Sequence, residues 1–253
     1  MAIKLGNKNI NKAYLGGVEI KKLYLGENVV FDNSFIPFII EVDTTKAGSA
    51  SNQFQFTGAL GDYDVVAKQN DIVVATFNDL SGAETITLPS SGIYVLEVIP
   101  KATNGFNRIR FGNGGDKLKI TDIKQWGDVV WSSFERAFYG SSNMLVTATD
   151  VPNLSSVTDM LAMFRDSTSA NPDTSNWDVS SVTSMRRMFQ NASSANPNTT
   201  NWDVSSVTTM RSMFYFTSSA NPDVSNWMLV VLIIWLLCFV MQHQQIQILQ
   251  IGM

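Results

Sequence analysis

A 25-residue period governs the second half of the chain. Residues 176–200 read NWDVSSVTSMRRMFQNASSANPNTT, and residues 201–225 read NWDVSSVTTMRSMFYFTSSANPDVS. Met185, Met188 and Phe189 return as Met210, Met213 and Phe214, and an earlier copy carries Met160, Met163 and Phe164. A fixed period of this length specifies a solenoid, in which each unit buries its apolar side only against its neighbours. Within one unit, Trp177 and Val179 alternate with polar residues as a short half-buried strand does. Val182, Met185, Met188 and Phe189 then fall on one face of a helical turn. The run Ser-Ala-Asn-Pro that follows is loop chemistry. The expected unit is therefore strand, short helix, loop.

The motif NWDVSSVT-x-M-x-x-MF resembles the BspA-like repeat proteins, a group related to the leucine-rich repeats. The resemblance covers Lys117 to Trp227, with three clear copies and a degenerate entry at Trp126 to Tyr139 that would act as a cap. It implies a surface-exposed adhesion and interaction module without enzymatic activity.

After Asn226-Trp227 the repeat is replaced by MLVVLIIWLLCFVMQHQQIQILQIGM. The apolar run Met228 to Met241 has 14 residues, short of the ~17–25 that a spanning helix needs. Loss of one base from an Asp codon after Trp227 accounts for it. GAT GTT AGT AGT GTT then reads Met-Leu-Val-Val-Leu, which is residues 228–232. The restored frame places Met, Met and Phe at positions 235, 238 and 239, one period after Met210, Met213 and Phe214. Residues 228–253 are thus expected to be a frameshifted continuation of the repeat, with no genuine transmembrane segment. On that reading Cys238 and His243, the single cysteine and histidine, carry no chemistry.

The N-terminal part has a shorter rhythm. Leu5-Gly6, Leu15-Gly16 and Leu25-Gly26 recur every ten residues, which predicts small β-hairpins over residues 1–33. The run KAYLGGVEIKKLYLGENVVFD resembles an N-terminal module of phage tail and other virion proteins. That resemblance implies attachment to virion proteins through residues 1–33. Met1 to Asn11 has no apolar core of a signal peptide, which fits release by lysis.

Residues 34–112 read as all-β. Candidate strands are Phe38–Val42, Gln53–Thr57, Tyr63–Ala67, Ile72–Phe77, Glu84–Leu88, Ile93–Ile99 and Arg108–Phe111, which suggests a small β-sandwich. Gly112 to Asp116 lacks the Lys-Ser/Thr of a phosphate loop and reads as a hinge into the solenoid of residues 113–227. The expected fold class is mixed β/α: hairpin module, β-sandwich, strand–helix solenoid.

A net charge of −4 with 16% charged residues lacks the basic footprint of a nucleic-acid binder. Asp178 and Asp203 occupy one column of the repeat, and Asp173, Asn198 and Asp223 another. Such columns could hold calcium or a glycosidase carboxylate pair, but an Asp at a fixed point of each repeat more often closes a turn on its own backbone. Trp177 and Trp202 form an aromatic column that either stacks on sugars or packs inward. Arg186, Arg187 and Arg211 sit on the turns and read as solvated. Trp177, Trp202, Asp178, Asp203, Arg186 and Arg211 are the candidate binding residues. No catalytic residue, metal or cofactor is expected. The expected function is recognition of a cell-surface protein or glycan, on a virion or at an extracellular surface. The alternatives are a bacterial cell-surface adhesin of the BspA-like type and a tail-associated glycan hydrolase.

Overall fold

The computed structural model describes residues 35–101 and 105–227, together with the backbone of six short strands before them. Those six strands pair as three antiparallel hairpins: β1 (Ile3–Leu5) with β2 (Lys8–Ile10), β3 (Ala13–Leu15) with β4 (Val18–Ile20), and β5 (Lys22–Leu25) with β6 (Asn28–Asp32). The ten-residue rhythm therefore does mark hairpins. The expected frameshifted tail, with Cys238 and His243, lies outside the described residues.

Eight further strands follow: β7 (Phe38–Asp43), β8 (Gln53–Gln55), β9 (Asp62–Gln69), β10 (Ile72–Ser81), β11 (Thr85–Thr87), β12 (Ile93–Pro100), β13 (Ile120–Gln125) and β14 (Leu145–Val146). Six of them form one mixed sheet in the order β10-β9-β12-β7-β13-β14, and β8 pairs with β11 in a separate two-stranded sheet. Six of the seven strands expected from sequence over residues 38–111 are present. Residues 108–111 contribute a single bridge, Arg108 to Leu60. The second layer has only two strands, so the domain is a large sheet with a small cover rather than a balanced sandwich.

Alternation sets the faces of the large sheet. Phe38, Ile40 and Val42 of β7, Tyr63, Val65 and Ala67 of β9, and Tyr94, Leu96 and Val98 of β12 are all buried. The residues between them are half-buried and include the Lys68–Glu97 ion pair. Phe106, Trp126 and Trp131 close over Phe38, with ring centroids 5.0–6.1 Å away.

The sheet does not stop at the repeats. β13 pairs antiparallel with β7 and parallel with β14, so one sheet and one core run from the β-domain into the solenoid. The glycine-rich stretch is not a hinge. Phe111 N–H donates to Ala137 O at 2.9 Å, and Asn113 N–H to Tyr139 O at 3.1 Å. This stretch is a half-rung laid on the first repeat.

The strand–helix solenoid is corrected: the described residues contain no helix, and the described part is all-β with turns. Trp177–Val179 is not a strand. The parallel bridges run instead through Asp159, Ser184 and Thr209. The expected helix is a train of turns with two classes of amide. Alternate amides cross to the next rung: Met160, Ala162, Phe164 and Asp166 donate to Ser184, Arg186, Met188 and Gln190 at 2.8–2.9 Å. Met185, Arg187, Phe189 and Asn191 repeat this toward Thr209, Arg211, Met213 and Tyr215 at 2.8–3.0 Å. Among the intervening amides, those of Met163, Arg165, Met188 and Gln190 close turns within the rung, and Leu161 N–H donates to Asp159 Oδ1. Both classes find partners, as buried backbone groups must.

This geometry places Ala162, Arg187 and Ser212 at φ 54°, 59° and 59°, and Asp166, Asn191 and Phe216 at 58°, 59° and 58°. Two left-handed residues in every seven rule out a helix. The Met-x-x-Met-Phe spacing suited both forms, because a train of three-residue-back turns also brings i, i+3 and i+4 to one side. Inward, the three Met–Met–Phe sets are buried, and Phe138, Phe164, Phe189 and Phe214 stack at 5.6–5.7 Å.

Candidate functional site

Two surfaces of the solenoid carry the candidate residues. The first is the corner that holds the Asp and Trp columns. Trp177 and Trp202 are each 3% exposed. Trp177 meets Trp126 edge-on at 5.9 Å, and Trp202 Nε1 donates to Thr174 O at 3.1 Å. Rings buried to this extent pack the solenoid and offer no face for a sugar.

Asp178 and Asp203 lie beside them, exposed. Asp178 Oδ1 accepts Ser180 N–H at 3.1 Å and Ser180 Oγ at 2.6 Å. Asp203 Oδ1 accepts Ser205 N–H at 3.0 Å. Asp173 and Asp223 do the same with Ser175 and Ser225, and Asn153 and Asn198 with Ser155 and Thr200. These are Asx turns, the structural use of an Asp at a fixed point of each repeat. Bonds from Ser180, side chain first and then backbone, hold Asp178 below the ordinary carboxylate range. The Ser205 backbone does the same for Asp203. A glycosidase acid needs the opposite shift. The depression lined by Asp150, Asp173, Ser175 and Asn176 holds about 20 Å³, room for one water. Among the described residues no group of three or more His, Cys, Asp or Glu side chains is placed to hold a metal ion. Among the same residues no helix is long and apolar enough to cross a membrane.

The second surface is the outer side of the turn train. The inward residues repeat as Met, Met and Phe, while the outward ones change from rung to rung. After the first core residue come Glu135, Leu161, Arg186 and Arg211. After the Phe come Tyr139, Arg165, Gln190 and Tyr215. The ladder therefore brings Arg186 and Arg211 together with Arg165 and Arg187, which a reading of single motifs does not. The columns appear once each rung is written under the last.

The electrostatics of this ridge are lopsided. Glu135 is engaged by Arg110 at 3.1 Å and Arg108 at 3.5 Å. Asp166 lies 3.6 Å from Arg165 Nε and accepts Asn191 Nδ2 at 2.6 Å. Arg165 also covers the Tyr139 ring at 4.7 Å. Arg186, Arg187 and Arg211 have no carboxylate partner among the described residues. Burial, and then the charges of Arg186, Arg165 and Arg211, push Arg187 down from its ordinary value.

No curated protein and no solved structure matches the chain. The virion expectation for residues 1–33 gains no support, because the family match falls on the repeats. Residues 117–233 match the family model described as Mycoplasma protein of unknown function, DUF285, a BspA-like repeat family.

Proposed function

We propose that the chain is a non-enzymatic surface-binding protein of the BspA-like type, acting as an adhesin at the outside of a bacterial cell. The observation that carries this reading is the contrast between the two sides of the turn train. Its core side chains repeat almost unchanged, while the half-buried or exposed neighbours on the same backbone vary along the row, as Glu135, Leu161, Arg186 and Arg211 do. A rigid scaffold with a varied outer row is the arrangement that repeat proteins use for recognition. The depressed Asp178 and Asp203 carboxylates support the non-enzymatic part.

The test is binding of the labelled full chain to cultured animal cells and to immobilised matrix proteins, with released sugars assayed in parallel. Saturable binding that weakens when Arg186 and Arg211 become Glu, but not when Ser180 becomes Ala, is the expected result. Absence of saturable binding, or release of oligosaccharides, overturns the reading.

A further inference from the structure

The outer ridge holds two features that the packing of the rungs does not explain. Arg186, Arg187 and Arg211 gather on adjacent rungs without a carboxylate among the described residues. The Nε atoms of Arg186 and Arg187 are buried without an acceptor. Buried unsatisfied donors and like-charge crowding at one place mark a site rather than a packing solution. The missing component is an anion.

We propose that this ridge binds a linear acidic polysaccharide through its carboxylate or sulfate groups, a refinement that rests on the surface-binding reading above. Arginine is the side chain suited to both groups, because its planar fork meets two oxygens at once. Tyr215, on the last described rung of the arginine row, offers a half-buried ring for the apolar face of a sugar unit. The ridge backbone argues against a peptide. An extended peptide binds by adding main-chain hydrogen bonds to an open edge. From Met160 to Asn191 most ridge amides are already used, between rungs, within turns or, at Leu161, on Asp159 Oδ1. What remains for a ligand is side chains on a regular row, which suits a polymer whose charges also recur regularly.

The experiment is retention of the full chain on immobilised heparin, polygalacturonate and neutral dextran, eluted with increasing NaCl. Poly-L-glutamate is the soluble competitor. The expected result is retention on at least one acidic polysaccharide and none on dextran. Retention on heparin alone assigns sulfate, on polygalacturonate alone carboxylate. Arg186→Gln with Arg211→Gln is expected to weaken binding at least tenfold, with an unchanged melting curve. Arg187→Asn, which suits the left-handed backbone, is expected to weaken it while preserving the fold. Equal binding by these variants overturns the proposal. So does competition by poly-L-glutamate as strong as by polygalacturonate at equal charge, which would assign a peptide. Cell binding that persists without retention on either polysaccharide overturns this proposal alone; loss of both overturns the surface-binding reading as well.

Discussion

Phe189 and Phe214 lie 5.7 Å apart with their rings within 2° of parallel. Phe164 stacks on Phe189 at 5.6 Å and 9°. This column registers one rung on the next, because a solenoid has only neighbour contacts to hold it. Phe189→Ala, at a fully buried position, is expected to cost about 3–5 kcal/mol. Phe189→Leu is expected to cost less. Chemical denaturation followed by circular dichroism checks both. Equal losses for the two variants would mean that stacked rings are not what registers the rungs.

Phe216 occupies a left-handed position that earlier rungs fill with Gly140, Asp166 and Asn191. Small and Asx residues tolerate this region, and a bulky aromatic does not. Phe216→Asn is therefore expected to stabilise the last described rung by about 1 kcal/mol, read as a higher Tm. A lower Tm would show that contacts of the Phe216 ring outweigh the strain.

The Asx turns make the solenoid acid-sensitive. Asp173 and Asp178 are held below the ordinary carboxylate range by bonds from Ser175 and Ser180. A folded-state value below the unfolded one means that the unfolded chain binds protons first on acidification. The stabilisation is thus full above the ordinary carboxylate value and is lost as the pH falls through the folded one. Asn153 and Asn198 already make the same turn without a titrating group. Asp178→Asn is expected to match the parent Tm at neutral pH and to fall less steeply in acid. Parallel Tm–pH curves would remove Asp178 from the account.

Lys119 ties the β-domain together from inside. Its Nζ lies within 3.0 Å of Ser49 O and Oγ, Ala50 O and Gln53 O, and 3.9 Å from Asp116. Asp116 in turn accepts Ser49 N–H at 2.6 Å and Gln55 N–H at 2.7 Å. Both side chains are fully buried. Lys119→Met strands these carbonyls and an unpaired carboxylate, with an expected cost of about 3–5 kcal/mol. Thermal melting of the variant checks it; a loss below about 1 kcal/mol would mean that water replaces the ammonium.

The strands were legible where alternation was clean. Phe38-Ile-Ile-Glu-Val and Ile93-Tyr-Val-Leu-Glu-Val declare one buried face each, and the sheet follows. The repeat core was legible too, since the Met and Phe positions are the ones buried. The local form of the repeat was not. Val182, Met185, Met188 and Phe189 satisfy a helical face, and no glycine at Arg187 or Asn191 signals φ > 0. The crossing hydrogen bonds, 24 residues distant, decide the backbone, and a local reading does not contain them. Arg186 and Arg211 were identifiable as a column. Their company with Arg165 and Arg187 depends on how the rungs lie.

The amides that cross between rungs in the turn train all point the same way, from each rung toward the next in the chain. Their dipoles add along the train as those of a helix do. The train is therefore a polar rod: its carbonyl end is covered by Phe111 and Asn113, and its positive end lies toward Arg211. Every rung of this rod must therefore run in the same sense, offering its carbonyls to the amides of the rung before it.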